Sequence, residues 1–468
     1  MLKVFFIINS ICALVIVFLQ RRNPATAWAW LLLLIFVPGI GFLIYLMFGQ
    51  NFHKEKMFRE KEIEGEIASA ARRQEYKMKE YEGAYDRLIR YNLRANKSII
   101  TVNNDIQIYV DGKKKFDALI SEIRKAEKYI HMEYYIIRED EIWGKIRDEL
   151  EKKAKEGIEV RVLFDSIGCR SMKKEDWKRL KKAGIHVAEF FPAVFGKIQP
   201  RINYRNHRKI VVIDGRCGFV GGFNIGREYA GEDERFGYWR DTHILIEGGA
   251  VTSLAIRFVL DWNFASGENL FLKDHLFEIP EYENKGKVPV QIISSGPDSI
   301  NPEIRNNYLQ IIYMAEESIF IQTPYYIPDD TIKEALKIAA KAGIDVRIMV
   351  PNKPDHPFVY WATRSYIGEM LESGVKCYFY EGGFLHAKSV CVDGSVTCLG
   401  TANLDIRSFS LNFEVNAVLY SDQVTKELMQ EFEKDIENSR QYTRQEYEER
   451  GLTERFREQC SRLFSPVL

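Results

Sequence analysis

The sequence predicts an α/β protein made of two copies of one unit, facing each other around a pseudo-twofold, behind an N-terminal transmembrane hairpin. Three observations carry this. Residues 1–50 are almost wholly apolar, the remainder alternates helical segments with short apolar strands, and the strand-like stretch "NHRKIVVIDG" at 206–215 returns as "LHAKSVCVDG" at 385–394. At 468 residues, with 46% apolar and 28% charged residues, the chain can fill two or three globular cores.

The hairpin comes first. Residues 4–19 are apolar except for Asn9 and Ser10, and residues 25–48 form a 24-residue apolar run. A helical span needs roughly 20 residues, so the second segment is long enough, whereas the first crosses only with thinning or help from its neighbour. "RRNP" between them is a polar turn, and Trp28, Trp30 and Tyr45 stand near the ends of the second segment, where aromatic belts form. Pro38-Gly39 and Gly41 interrupt that segment, which predicts a kink or a partly re-entrant path. A cleaved signal peptide is the competing reading of residues 1–20. It is disfavoured because no small-x-small cleavage site precedes the arginines and a second apolar run follows at once. Lys3, Lys54, Lys56, Arg59 and Lys61 flank the hairpin on one side against Arg21 and Arg22 in its turn, which places the bulk of the chain in the cytoplasm.

Charge and cysteine content then bound the rest. Basic and acidic residues balance at 66 each, and because residues 1–50 hold three cations and no acids, residues 51–468 are net −3. A nucleic-acid binder would show a basic balance or stripe, so no nucleic-acid partner is expected. The seven scattered cysteines have neither CxxC nor zinc spacing and read as reduced, buried thiols.

A charged helical connector is expected over 51–100, a first half over 101–278 and a second over 279–468, joined through "EIPEYENKGKVP" at 278–289. The halves share landmarks in one order. "AEKYIHMEYYII" (126–137) answers to "AEESIFIQTPYYIP" (315–328), "KAKEGIEVRVLFD" (153–165) to "AAKAGIDVRIMVP" (339–351), and "LKKAGIHVAEFF" (180–191) to "LESGVKCYFY" (371–380). Ordered matches of helix, glycine cap and alternating strand mark an internal duplication of βαβ units.

Strand alternation puts His207 and Lys209 on one face, and likewise His386 and Lys388. Asp214 and Asp393, seven residues beyond their histidines, fall on the other face in a D-G turn; both are read as supporting residues. Ten residues beyond each aspartate stands an asparagine, Asn224 in "GGFN" and Asn403 in "GTAN", where small neighbours let backbone N–H groups approach an anion. Each histidine needs an acceptor on one ring nitrogen. Asp241, 34 residues after His207, and Glu414, 28 residues after His386, are the candidates, each expected beside the motif strand of its own half in a meander. Two histidines, two lysines and two asparagines at one centre suit a phosphodiester. The cations and amides hold the phosphoryl charge, one neutral imidazole attacks phosphorus, and the other, protonated, serves the leaving alkoxide. No metal or other cofactor is expected, since the lysines supply the positive charge and no HExxH spacing occurs. His131, His243 and His356 lack a repeat partner and are read as structural or rim residues, and "PYYIP" (324–328) as an aromatic strand end, with the lining of a substrate entry as the alternative.

At these residues the chain resembles the phospholipase D superfamily, whose signature is His-x-Lys-x4-Asp-x6-Gly-Gly/Ser/Thr-x-Asn in duplicate. Both copies fit, as His207, Lys209, Asp214, Gly221, Gly222, Asn224 and as His386, Lys388, Asp393, Gly400, Thr401, Asn403. "GGFNIGREYAG", "GYWRDTHILIEG", "GTANLDIRSFSLNFE", the terminal "SRLFSPVL" and "RRNPATAWAWLLLL" are further similar to the bacterial cardiolipin synthase family. The resemblance implies two phospholipase D-type halves in a bacterial inner-membrane protein that condenses two phosphatidylglycerols into cardiolipin and releases glycerol. It also implies His207, Lys209, Asp214, His386, Lys388 and Asp393 as the catalytic set, with His207 the nucleophile, His386 the general acid, and Asp241 and Glu414 the acids holding the histidines. A hydrolytic phospholipase D would share this centre, an endonuclease would want a basic cleft, and a non-enzymatic scaffold would be expected to have lost a motif residue.

Overall fold

The structure, a computed structural model, describes residues 24–37, 85–192, 203–270, 286–299 and 301–466, with isolated positions before residue 46. The first apolar segment, most of the connector and most of the 278–289 link fall outside the described residues. Within the second apolar segment lies helix α1 (Pro24–Phe36), 13 residues long, and no helix among the described residues is long and apolar enough to cross a membrane.

From residue 86 the chain is α2 (Asp86–Asn96), β1 (Ile100–Asp111), α3 (Gly112–Arg124), β2 (Tyr129–Tyr134), α4 (Glu141–Lys155), β3 (Glu159–Asp165), α5 (Lys174–Lys182), β4 (His186–Phe190), β5 (Arg205–Asn206), β6 (Ile210–Ile213), β7 (Cys217–Gly221), β8 (Trp239–Gly248) and α6 (Ala250–Ser266). The second half repeats that order with β9 (Val288–Ser295), α7 (Glu303–Met314), β10 (Ser318–Gln322), β11 (Tyr326–Ile327), α8 (Asp330–Lys341), β12 (Asp345–Pro351), α9 (Pro357–Leu371), β13 (Lys376–Tyr380) and β14 (Phe384–Leu385). It continues through β15 (Ser389–Val392), β16 (Val396–Gly400), β17 (Leu404–Asp405), α10 (Ile406–Ser410), β18 (Asn412–Tyr420) and α11 (Asp422–Glu437), and ends in β19 (Ser439–Tyr442), α12 (Arg444–Glu449) and α13 (Leu452–Arg462).

Local signals explain the elements. Asp140 and Asp329 cap α4 and α8, accepting the N–H groups of Trp143 and Ile332 at 3.1 and 2.9 Å. The strands between the helices are buried along nearly their whole length, the burial of a sheet covered on both faces. One topology serves both halves. In the first, neighbours β1, β8, β7, β6 and β2 are antiparallel and β2, β3, β4 parallel. In the second, β9, β18, β16, β15 and β10 are antiparallel and β10, β12, β13 parallel. β1 also pairs with β9, so the two sheets continue into each other.

The motif strands β6 and β15 are therefore not neighbours of the acid-bearing strands; β7 and β16 intervene. These strands do form a meander, but the expected adjacency of the acid-bearing strand to the motif strand is corrected here. Separate apolar cores lie in each half, and a third, drawn from Tyr129, Leu163, Phe258 and Trp262 on one side and Phe320, Met349, Phe413 and Phe432 on the other, joins them. α2 belongs to the second half: Leu88, Ile89 and Leu93 enter that core, and Asn92 donates to Gln291 and Asn307 at 3.2 and 3.0 Å.

Two dipeptide strands set up the site. β5 leaves its own sheet to pair in parallel with the start of β18, and β14 pairs in parallel with the start of β8. The backbone N–H of His207 then donates to Phe413 O at 3.0 Å, and that of His386 to Arg240 O at 2.7 Å. Buried Arg208 locks one crossing, with both Asp261 oxygens at 2.7 Å and Glu414 O at 3.1 Å; buried Arg240 locks the other through Asp435 at 2.9 Å.

Candidate active site

Because each histidine follows a strand that has joined the opposite half, each meets the acid of that half. His207 Nδ1 lies 3.0 and 2.9 Å from the Glu414 oxygens, and His386 Nδ1 lies 2.6 Å from Asp241 Oδ2. The expectation that each histidine uses its own half's carboxylate is overturned. The residues were right and the pairing is exchanged, since the residue next to Phe413 is Glu414 and the residue next to Arg240 is Asp241. With Nδ1 committed to an acid, Nε2 is the ring nitrogen left for the cavity that both histidines line.

Lys209 and Lys388 lie fully buried behind the histidines, each donating to the carbonyl of the histidine two residues back, Lys209 at 2.6 Å. They set positive charge beneath the cavity wall. Asn224 and Asn403 do line the cavity; the first accepts the Ile136 N–H at 3.2 Å and the second donates to Asp405 at 3.0 Å.

The small residues before them have a different use from the one expected. Gly222 N–H donates to Thr242 O and Thr401 N–H to Val415 O, both at 2.9 Å, so neither is available to an anion. Gly222 is there for space, since a Cβ would stand 1.9 Å from Asp241 Oδ1. At the matching position Thr401 instead donates its hydroxyl to Glu414 Oε2 at 2.6 Å, and Asn412 donates to Oε1 at 3.2 Å.

Asp214 and Asp393 stand at positive φ of 56° and 51° in Asp-Gly turns and face away from the histidines. Asp214 accepts the N–H groups of Glu127, Lys128 and Tyr129, each at 2.8 Å, and Asp393 those of Glu316, Glu317 and Ser318 at 2.7–2.9 Å. Their place in a catalytic set is corrected: they tie the β6–β7 and β15–β16 turns to the heads of β2 and β10. Asp214→Ala and Asp393→Ala are expected to cost roughly 1–3 kcal/mol each, seen as a lowered thermal midpoint, with turnover per folded molecule retained.

The cavity, about 690 Å³, is also lined by residues the sequence did not single out: Tyr135, Trp239, Arg205, Arg407, Asp355 and Asp405. Tyr135 meets His207 edge-on at 4.9 Å and Trp239 lies 5.2 Å from His386, so each imidazole rests on an aromatic wall. Trp239 had one available signal, its place two residues before Asp241. Tyr325 and Ile327 of "PYYIP" line the cavity, and His356 sits on its rim, while His131 stacks on Phe258 at 4.5 Å and His243 is enclosed near Phe219 and Phe223. Among the described residues no cluster could hold a metal ion.

Burial sets the electrostatics. Desolvation lowers both His207 and His386 to about 4 despite their acid partners, so both imidazoles are neutral near pH 7. Desolvation also lowers Lys209 to about 7 and Lys388 to about 8. Burial works against the charged forms of Glu414 and Asp241, yet the histidines and lysines around them hold both below the usual carboxylate range. Two neutral imidazoles on ionised acids, over two lysines, make a centre that gains most from an anion placed between the rings.

Duplicated halves and crossed histidine–acid couples define a phosphodiester-transferring protein of the phospholipase D superfamily. The family profile "Cardiolipin synthase, PLD-like domain" matches residues 119–235 and 308–436, and the profile "Phospholipase_D-nuclease N-terminal" matches residues 7–50. The chain is 46% identical over 479 residues to the major cardiolipin synthase ClsA of Bacillus subtilis, spanning 100% of this chain and 99% of that protein. It is 45% identical to a cardiolipin synthase of Oceanobacillus iheyensis, over 99% of this chain and 98% of the relative. The chain belongs to the bacterial cardiolipin synthase family, and it is a phosphatidyltransferase. Its fold is shared with the crystal structure of phosphatidylserine synthase from Haemophilus influenzae, with a TM-score of 0.64 at 15% identity over 82% of this chain and 100% of that one.

Proposed function

We propose that the cavity joins two phosphatidylglycerols into cardiolipin in two displacements. In the first, His207 Nε2 attacks the phosphorus of one phosphatidylglycerol, the bond to its glycerol oxygen breaks, and His386 delivers the proton that glycerol carries away. In the second, a headgroup hydroxyl of another phosphatidylglycerol gives its proton to His386 and attacks the phosphohistidine, and His207 leaves. The observation that carries this reading is the crossed couple: two neutral imidazoles, each with Nδ1 on an ionised acid, on the wall of one cavity. His386 is neutral at rest, so its proton arrives as the phosphate's charge raises its affinity. Lys209 and Lys388 stabilise the charge that gathers on the phosphoryl oxygens, and Asn224 and Asn403 complete the wall.

On this reading residues 1–50 are a membrane hairpin, 51–100 its connector, and 101–278 and 279–468 the two halves, with the catalytic part on the cytoplasmic side. The apolar run of 25–48 and the profile match over 7–50 support the hairpin. Tethering raises the effective concentration of an insoluble substrate.

The test is incubation of the purified chain with labelled phosphatidylglycerol and resolution of the products. Cardiolipin with one glycerol per turnover is expected; phosphatidic acid as the main product would mean transfer to water and overturn the synthase. The pH dependence follows from the site. For kcat/KM, which reports the free enzyme, His207 must be neutral, His386 must carry the proton it delivers, and both lysines must be charged. kcat/KM is therefore expected to be highest near pH 4 and to fall above it as His386 loses its proton, then more steeply past about 7 to 8, where Lys209 and then Lys388 discharge. A rate still rising between pH 8 and 9 would count against the lysines as the phosphate's cations.

A further inference from the structure

Helix α13 is built inside out. Its buried positions are polar: Glu458, with no exposed surface, pairs with Arg450 at 2.8 Å, Ser461 is buried beside it, and Arg462 pairs with Glu369 while lying 4.4 Å over the Tyr366 ring. Its outward side carries large apolar side chains among Thr453, Arg455, Arg457 and Gln459, and two more follow its last turn. Leu452, Phe456, Leu463 and Phe464 are 51–84% exposed, and water is a poor neighbour for four large side chains in so short a stretch. The patch does not stop at the helix: Phe464 meets Phe358 of α9 edge-on at 5.9 Å, and Phe358, itself 58% exposed, lines the catalytic cavity together with Pro357 and Val359.

We propose that this outward face, Leu452, Phe456, Leu463 and Phe464 with Phe358, is a membrane-docking surface that seats the mouth of the catalytic cavity on an anionic bilayer. The proposal rests on the phosphatidyl-transfer reading of that cavity. Three features select a bilayer as the occupant. The patch is continuous with the cavity mouth, so whatever covers it lies where substrate enters. At about 690 Å³ the cavity accommodates headgroups, not the acyl chains of two phospholipids, which must stay in an apolar phase at its edge. Arg455 and Arg457 are exposed among the apolar residues, and apolar side chains interleaved with cations are the composition of helices lying in an anionic interface. This contact would be separate from the N-terminal hairpin: the hairpin holds the protein at the membrane, and α13 fixes which way the cavity faces.

The experiment uses the full chain in vesicles of phosphatidylglycerol and phosphatidylcholine, with p-benzoylphenylalanine at position 456. Irradiation is expected to yield a lipid adduct. An adduct only with residues 1–84 of the same chain or with a second copy, or no lipid adduct, would overturn the proposal. Alongside it, the exposed triple variant Leu452→Ser/Phe456→Ser/Leu463→Ser is assayed on two substrates. Turnover of long-chain phosphatidylglycerol in vesicles should fall about tenfold, chiefly in KM, while turnover of a short-chain monomeric phosphatidylglycerol stays unchanged. Equal losses on both substrates, or no loss on vesicles, would overturn docking. If the parent chain turns over neither substrate, the transfer reading fails instead, and the adduct still decides the surface.

Discussion

His207→Ala is expected to lower turnover of every phosphodiester by at least about 10³-fold, whereas His386→Ala should do so only for substrates whose leaving group needs a proton. The difference follows from the proposed roles. Without His207 no phosphohistidine forms, whatever the leaving group. Without His386 the covalent step still runs when the leaving group is already a good anion, so a nitrophenyl phosphodiester should give a burst of nitrophenolate and a phosphoryl-enzyme, while glycerol release from phosphatidylglycerol stops. Acid-labile label on the His386→Ala chain and none on His207→Ala is the expected gel result. The opposite distribution would exchange the two roles, and substantial cardiolipin formation by either variant would end the two-histidine mechanism.

The second large effect concerns the acids, and here the crossed geometry predicts what chain position does not. Glu414 holds His207 and Asp241 holds His386. Glu414→Gln should therefore copy the defect of His207→Ala, losing the burst, and Asp241→Asn should copy that of His386→Ala, keeping the burst and losing glycerol release. A neutral amide leaves the fold intact but removes the charge that fixes the tautomer and supports the imidazolium, a loss on the order of 10²–10⁴-fold. Pre-steady-state kinetics with the nitrophenyl substrate separate the cases. If Glu414→Gln kept its burst while Asp241→Asn lost it, the histidines would be served by their own halves during the reaction and the pairing seen here would be irrelevant to catalysis.

The duplication, the two histidine–lysine motifs and the identity of both acids were legible because each is local and each occurs twice; the strand expected through each motif is corrected, since His207–Lys209 and His386–Lys388 stand in the breaks between β5 and β6 and between β14 and β15. Repetition in register is information that a single strand lacks. The partnership of His207 with Glu414 was not legible, because it depends on β5 and β14, two-residue strands with no periodicity of their own, leaving their sheets for the opposite half. The same limit hid Trp239, which reaches His386 only across the two halves, while Tyr135 meets His207 inside its own half through a tertiary contact that the sequence does not print. Asp214 shows the reverse case: alternation had already put it on the wrong face to serve its histidine, and only its membership of the signature suggested a catalytic place. Gly222 was singled out for a correct reason of size attached to the wrong neighbour, a carboxylate in place of an incoming anion.

The reciprocal crossing of β5 and β14 has a further consequence. Contact of one half's element with its counterpart's partner, matched by the converse contact, is the signature of an isologous interface between identical subunits. The centre is thus organised like a homodimer's shared site whose two copies lie on one chain. On one chain the copies are free to differ: one couple is an aspartate over a glycine, the other a glutamate braced by Thr401 and Asn412. A symmetric dimer is obliged to present two equivalent imidazoles, while the single chain is at liberty to give them unequal chemistries.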